Sequence, residues 1–174
     1  INFIGVKVGD VNNDAVGSDL TSQDVSSRST FSVAIADRNI TKGELIQIPV
    51  IADNSNVLLG LQGQLHANGL VIKGLSGDAI KLTDSDYNVN TGESIRIALA
   101  SGEGVQVNKG QTLFVIEAEA TQSGKLSEML QLDTDFNPEI YTANKQINRF
   151  GIQWRNSSST VTDLSSITPN PWNA

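Results

Sequence analysis

The sequence has no cysteine and only one histidine, His66, among its 174 residues. Without cysteine the chain can form no disulfide, no thiolate metal site and no cysteine nucleophile. A single histidine also excludes a metal site with two histidine ligands. No apolar run approaches the roughly 20 residues that a transmembrane helix needs. The sequence offers no nucleophile–base pair and no set of metal ligands for catalysis, and we therefore expect that the protein is not an enzyme.

Aromatic and basic residues are scarce as well. The chain has two Trp, two Tyr and five Phe, and a hydrophobic fraction of 39%, which favours a core of Val, Ile and Leu. Its 12 Lys and Arg stand against 19 Asp and Glu, so the formal net charge is −7. An acidic surface repels nucleic acid phosphates and anionic lipid headgroups. We therefore expect neither nucleic acid nor a membrane as a partner, whereas calcium is compatible with this charge.

Strand periodicity runs through most of the chain. The clearest strand is residues 111–121, where Phe114 and Ile116 alternate with residues of the opposite face. The same alternation recurs in short segments separated by turns, and no segment shows the pattern of an amphipathic helix. This arrangement of seven to nine short strands predicts an all-β fold, an antiparallel two-sheet sandwich. Pro49 cannot donate to a strand ladder, so we expect its strand to lie at an edge or to carry a bulge there.

Composition divides the chain into four parts. The sandwich is predicted for 31–156, a polar linker for 21–30, and a Ser/Pro-rich linker for 157–174. Residues 1–20 form a separate segment rich in Gly, Asp and Asn. Because the sequence starts at Ile1 without methionine or a signal peptide, we expect a fragment of a longer protein.

The N-terminal segment carries a candidate calcium half-loop. Three oxygen-bearing side chains there have the 1, 3, 5 spacing of an EF-hand loop, which aims alternate side chains at one ion. The candidate ligands are Asp10, Asn12, Asp14, Val16 and Asp19. The loop is altered, because Ala15 replaces the usual Gly and Thr21 the usual acid. The alternative is an Asx-rich turn in which Asp and Asn side chains cap backbone amides.

Several segments together carry a family resemblance. They are Gly43-Glu44 with 46–51, then 59–65, 95–99, 110–120, 126–128 and 139–141. On these segments the chain resembles the cohesin-like domains of secreted multimodular bacterial proteins, and most of all the version found in Bacteroidota. Gly9-Asp10-Val11-Asn12 is similar to the dockerin-like segment that precedes such domains. Pro169-Asn170-Pro171-Trp172 resembles the start of a type IX secretion sorting domain.

The resemblance implies a jelly-roll sandwich of about nine strands and an extracellular or cell-surface location. It also implies an interaction or spacer role between modules, with a dockerin-like or other surface protein as the partner. Combined with the strand alternation, it suggests a binding face formed by Leu58, Gln62, Gln64, His66 and Arg96. The alternative function is a calcium-dependent carbohydrate-binding module attached to a polysaccharide-degrading enzyme.

Four further features have structural interpretations that we prefer. Glu117 and Glu119 are expected on a solvated strand face, because the two carboxylates of a glycosidase normally come from separate elements. Asp84, Asp86 and Asn88 could form a second oxygen cage, but a polar loop is favoured. His66 is expected at the surface. Of the two tryptophans, Trp154 alternates in phase with core residues, and Trp172 lies in the C-terminal linker.

Overall fold

The computed structural model describes residues 29–144 and 147–156, and within them nearly every element is a strand. No helix in this part of the chain is long and apolar enough to cross a membrane. The elements are β1 (Thr30–Asp37), β2 (Asn39–Ile40), β3 (Leu45–Ala52), β4 (Asn56–Ala67), β5 (Leu70–Gly77), β6 (Tyr87–Asn90), β7 (Ser94–Val107), β8 (Thr112–Ala120), β9 (Gly124–Lys125), α1 (Leu126–Met129), β10 (Leu130–Leu132), β11 (Glu139–Thr142) and β12 (Ile147–Asn156).

The main sheet is one continuous path of strands that folds over into two layers. Its order is β5-β8-β3-β1-β12-β11-β4-β7-β6, and β10 pairs with β4 beside this path. The end strands β5 and β6 contact each other, so the sandwich is nearly closed. We refer to β5, β8, β3 and β1 as the first layer and to the remainder as the second layer. The predicted all-β sandwich is confirmed, with a 10-stranded sheet in the described residues where about nine strands were expected.

The prediction of purely antiparallel strands is wrong at the seam between the two layers. β1 runs parallel to β12 along its whole length, from Thr30 beside Arg149 to Asp37 beside Asn156. The other pairings among the described strands are antiparallel. Side-chain alternation specifies which face of a strand is buried but not the direction of its neighbour. The sequence pattern therefore could not reveal the parallel seam.

The strand predicted at 111–121 is β8, which lies between β3 and β5 in the first layer. Phe114 and Ile116 are fully buried between the layers, whereas Glu117 and Glu119 are half-buried on the outer side. The core extends across both layers as one cluster of aliphatic residues and phenylalanines. Each large apolar side chain buried in this way stabilises the fold by roughly 1.5–3 kcal/mol.

Pro49 lies in β3 at a position where a backbone N–H is not needed for strand pairing. β3 pairs with β8 along most of its length, but with β1 only at Ala52 and Ile51. The β1 side of the strand is thus open at Pro49, where no ladder hydrogen bond is lost. The register with β8 also shifts between Val50 and Ile51. The edge position that the proline allowed is wrong, because β3 lies between β8 and β1, whereas the alternative of a bulge is confirmed one residue beyond Pro49.

A buried carboxylate ties the end of β1 to helix α1. Asp37 accepts hydrogen bonds from the Ser127 amide at 3.0 Å and the Ser127 hydroxyl at 2.9 Å, and Lys125 Nζ lies 3.0 Å from it. Burial by itself raises the pKa of Asp37, but the hydrogen bonds from Lys125 and Ser127 outweigh it and leave the pKa below its ordinary value. Asp37 therefore stays ionised and fixes the start of α1.

Candidate functional site

The outer surface of the second layer gathers a set of side chains that we call the β4–β7 face. Strand alternation places every second residue of β4, β7, β6 and β11 on this surface, and the register aligns them in rows across the strands. One row is Gln62 beside Ala98, and the next is Gln64 beside Arg96 and Asn88. The face comprises Gly60, Gln62, Gln64, His66, Asn88, Asn90, Ser94, Arg96, Ala98, Ala100, Glu139 and Tyr141.

A polar network fixes one end of this face. Gln64 Oε1 accepts hydrogen bonds from Arg96 Nε at 3.0 Å and from Arg96 Nη2 at 2.8 Å. The guanidinium carbon of Arg96 also lies 4.3 Å from the ring centroid of Phe136, which is a cation–π contact. Gln64 and Phe136 together hold the guanidinium in a defined orientation.

His66 extends the network to the segment after β10. Its Nε2 lies 2.9 Å from Asp133 Oδ2 and 3.1 Å from Gln64 Nε2. A carboxylate only accepts, so His66 Nε2 is the donor to Asp133, and its close approach to the Gln64 NH2 group, also a donor, is then not a hydrogen bond. The hydrogen bond from His66, followed by that from the Asp135 amide, holds the pKa of Asp133 below its usual value. Asp133 is therefore ionised and engaged rather than free.

The neighbouring row is organised around Glu139. Its Oε2 accepts hydrogen bonds from Tyr141 Oη at 2.8 Å and from Gln62 Nε2 at 3.2 Å. Gln62 Nε2 also lies 3.3 Å from the carbonyl oxygen of Asn137. This row links β4 to β11 through side chains as well as through the strand ladder.

Beside the polar network lies a shallow apolar groove of about 540 Å³. Small residues form the floor of this groove. Gly60 is paired with Ala100, and Ala98 lies beside Gln62. A Cβ at Gly60 would come within 3.0 Å of the Leu99 carbonyl oxygen and 3.3 Å of Tyr141 Cδ2. Glycine therefore lets β4 and β7 pack closely at this point, where a larger residue would push the neighbouring atoms by a few tenths of an ångström. The groove is lined by Leu59, Gly60, Leu61, Gln62, Ala98, Leu99, Ala100 and Tyr141.

Comparison with known proteins identifies the fold. No protein-family model matches the sequence, and no curated protein matches it. Solved structures do match. The chain is similar to a chain of the Coh-OlpA–Doc918 type I cohesin–dockerin complex from Clostridium thermocellum, with 14% identity, a TM-score of 0.54, and coverage of 73% of this chain and 100% of that one. The fold is cohesin-like.

Two further cohesin structures agree with this assignment. The seventh ScaB type I cohesin from Pseudobacteroides cellulosolvens has 15% identity and a TM-score of 0.53, over 73% of this chain and 88% of its own. The third ScaC cohesin from Acetivibrio cellulolyticus, in complex with the ScaB dockerin, has 8% identity and a TM-score of 0.51, over 73% and 99%. At these identities the likeness concerns the cohesin-like fold alone.

Four of the five residues suggested for the binding face lie together on it. Gln62, Gln64, His66 and Arg96 occupy adjacent positions, and His66 is at the surface as expected. Leu58 does not belong to the face, because its side chain is only 2% exposed and packs in the core. The register between β4 and β7 shifts between Leu58 and Gly60. This bulge inverts the alternation, so that the half-buried Leu59, and not Leu58, borders the groove.

Sequence reasoning missed the residues that support the face from outside β4 and β7. Asp133 and Phe136 lie in an irregular segment without periodicity, so nothing in the sequence linked them to Arg96 or His66. Glu139 and Tyr141 were part of the family resemblance, and their spacing of two could have placed them on one strand face. Their contact with β4 depends on the pairing of β11 with that strand.

The metal-binding predictions have different outcomes. Asp10, Asn12, Asp14, Val16 and Asp19 lie outside the described residues, so the calcium half-loop stays a prediction. Within residues 29–144 and 147–156, no group of three or more His, Asp or Glu side chains is placed to hold a metal ion. Asp86 instead accepts hydrogen bonds from the Thr83 amide and hydroxyl, both at 2.7 Å, as in the polar loop that we favoured.

Proposed function

We propose that this chain is a non-catalytic protein-interaction module that binds a dockerin-like partner through the β4–β7 face. The observation that carries the proposal is the pairing of a fixed polar network with an adjacent apolar groove on one sheet surface. Interfaces of moderate size combine such features, with a desolvated apolar centre and polar contacts around it. The cohesin-like fold supports the partner class, because two of the similar structures are complexes with dockerins.

Preorganisation of the face supports the same proposal. Gln62, Gln64 and Arg96 each have a side-chain hydrogen bond to another residue of the face, so their rotamers are already restricted. A partner that contacts them loses less side-chain entropy than one that orders free side chains, which costs about 0.5–1.5 kcal/mol each. The face is therefore suited to binding without rearrangement.

The experiment is a binding assay of the purified chain against a panel of purified dockerin modules by biolayer interferometry. We expect binding of at least one dockerin, and we expect Ala98→Glu to weaken it by about 30-fold or more, because the new charge lies at the centre of the face. Ala36→Glu is the matched control, since Ala36 is an exposed alanine on β1 in the first layer.

Two results would contradict the proposal. If Ala36→Glu weakens binding as much as Ala98→Glu, the β4–β7 face is not the interface. If no dockerin binds while a glycan array gives a specific sugar signal, the partner class is carbohydrate and not protein. Melting curves of both variants show whether each is folded in the assay.

We further propose that the module works outside the cell or at its surface, within a secreted multidomain protein, and that residues 1–20 are a dockerin-like remnant. The Gly9-Asp10-Val11-Asn12 sequence and the Pro-Asn-Pro-Trp sequence near the C-terminus support this context. A calorimetric calcium titration of chelator-stripped protein, repeated with Asp14→Ala, tests the half-loop. Binding heat that disappears with the substitution supports a calcium site, and no heat for the unsubstituted chain leaves the segment as a linker turn.

A further inference from the structure

We propose that Arg96, Asn88, Asn90 and Ser94 form a subsite for a carboxylate, supplied by an acidic side chain of the protein partner. The inference rests on the proposed function and adds the chemistry that the partner must present. These residues line a polar recess of about 240 Å³ at the edge of the β4–β7 face, together with Gln64.

The strand register brings these side chains together. Arg96 on β7 pairs with Gln64 on β4 and with Asn88 on β6, and Ser94 pairs with Asn90 in the adjacent row. Directly opposed residues of antiparallel strands have Cβ atoms about 4.5–5.5 Å apart. The two rows therefore surround one small volume with a guanidinium, two amides and a hydroxyl.

The guanidinium has one edge occupied and another available. Its Nε and Nη2 donate to Gln64 Oε1, and its plane contacts the Phe136 ring. Nη1 and the second N–H of Nη2 have no hydrogen-bond partner among the residues that the structure describes. These two N–H groups form the fork that binds the two oxygens of a carboxylate, and the fixed orientation of the side chain favours such bidentate binding.

The other groups of the recess can donate to the same ligand. The side chains of Asn88, Asn90 and Ser94 make no hydrogen bond to any other residue in the described part of the chain. An asparagine amide supplies two N–H donors and a serine hydroxyl supplies one. A carboxylate has about four acceptor positions, so it can accept from Arg96 and from one or two of these donors together.

The charge distribution favours an anionic group at this position. Arg96 is the only Lys or Arg on β4, β6, β7, β10 and β11, and it has no ion pair within the described residues. Asp133 and Glu139 at the face are already engaged, Asp133 by His66 and Glu139 by Gln62 and Tyr141, whereas Glu93 lies exposed in the turn directly before Ser94. A partner carboxylate would supply the ion pair that Arg96 does not make within the described residues.

The test is an NMR titration of ¹⁵N-labelled protein with sodium acetate at constant ionic strength. We expect saturable shifts of the Arg96 Nε–H signal and of the Asn88 and Asn90 amide signals. Acetamide, which has the same shape without the charge, should leave them unchanged. Arg96→Gln should abolish the response, and Arg96→Lys should weaken acetate binding by about tenfold because the bidentate fork is lost.

Arg155→Gln is the matched control, since Arg155 lies on β12 and is paired with Asp53. This variant should respond to acetate like the unsubstituted protein. Acetate shifts of equal size at all arginines, or an unchanged response in Arg96→Gln, would overturn the carboxylate subsite. Backbone spectra of both variants that match the unsubstituted protein elsewhere show that the fold is intact.

The acetate titration is independent of whether a dockerin binds, so the two proposals can fail separately. If acetate binds at Arg96 and no dockerin binds, the subsite is supported and the partner class is wrong. If a dockerin binds and is blocked by Ala98→Glu, but Arg96→Gln leaves its affinity unchanged, the interface is supported and the carboxylate subsite is overturned.

Discussion

The two outer faces of the sandwich are built by the same strand alternation but differ in how their side chains are held. On the β4–β7 face, side-chain hydrogen bonds connect neighbouring strands in successive rows. The opposite surface, which we call the β3–β8 face, consists of Leu45, Gln47, Pro49, Val71, Lys73, Val115, Glu117 and Glu119. The ion pair between Lys73 and Glu119, at 2.9 Å, is an exposed contact on this surface, and Leu45 is 78% exposed.

This difference indicates which surface is suited to binding. Exposed ion pairs contribute about 0–1 kcal/mol, and a single exposed leucine is common on protein surfaces. A network that fixes an arginine and leaves one of its edges available provides both specificity and a low entropic cost. This contrast is why the proposed interaction lies on the β4–β7 face and not on the β3–β8 face.

The largest expected effect comes from a substitution in the core that both faces share. Phe114→Ala should lower the free energy of unfolding by about 3–5 kcal/mol, because Phe114 is fully buried between the layers. Guanidinium denaturation measures this loss, and Phe114→Leu should lose less since most of the volume is kept. A loss below about 1 kcal/mol for Phe114→Ala would mean that the layers do not share this core.

The next largest effect on stability concerns the contacts of Asp37 that join β1 to α1, away from either face. Asp37→Ala should lower the free energy of unfolding by about 1–3 kcal/mol, because it removes an acceptor from Ser127 and a charge partner from Lys125. Partner binding at the β4–β7 face should be unchanged in the folded variant. Chemical denaturation and the binding assay together measure both effects.

The same variant gives a pH prediction. Since folding lowers the pKa of Asp37 from its ordinary value of 3.8, its contribution to stability is present above pH 3.8 and is lost as the pH falls through the lower, folded-state pKa. The difference in stability between the unsubstituted protein and Asp37→Ala should therefore shrink below pH 3.8. A difference that stays constant into strong acid would contradict the role of the ionised carboxylate.

An effect of similar size tests the close packing of the β4–β7 face. Gly60→Ala should lower stability by about 1–3 kcal/mol and weaken partner binding, because the added Cβ meets the Leu99 carbonyl oxygen at 3.0 Å. Gly102→Ala is the control, since a Cβ there has no heavy atom within 4 Å. Equal melting temperatures for the two variants would show that the strands can separate at Gly60 without cost.

The smallest effect on stability contrasts the two faces directly. Gln64→Ala and Gln47→Ala each remove an outward-facing glutamine, and both should change stability by no more than about 0.5 kcal/mol. We expect only Gln64→Ala to weaken partner binding, because it releases the guanidinium of Arg96. Biolayer interferometry with both variants measures this, and equal loss of affinity would remove the distinction between the faces.

Much of the fold follows from local pattern. The alternation of Phe114 and Ile116 with outward-facing residues placed β8 correctly, and the bulge of β3 is one of the two features that the chemistry of Pro49 predicted. The same alternation brought Gln62, Gln64, His66 and Arg96 to one surface. Such properties depend on side-chain direction and hydrogen-bonding capacity within one strand, which the sequence specifies directly.

The tertiary structure decided what depends on contacts between distant segments. The parallel pairing of β1 with β12, the bulge that buries Leu58, and the placement of Phe136 against Arg96 all arise from packing between segments far apart in the chain. No local period encodes these contacts, because each depends on strand order and register. By itself the sequence determined that this is an all-β sandwich with a polar strand face. The available edge of Arg96, and with it the expected chemistry of the partner, was decided only by the assembled sheet.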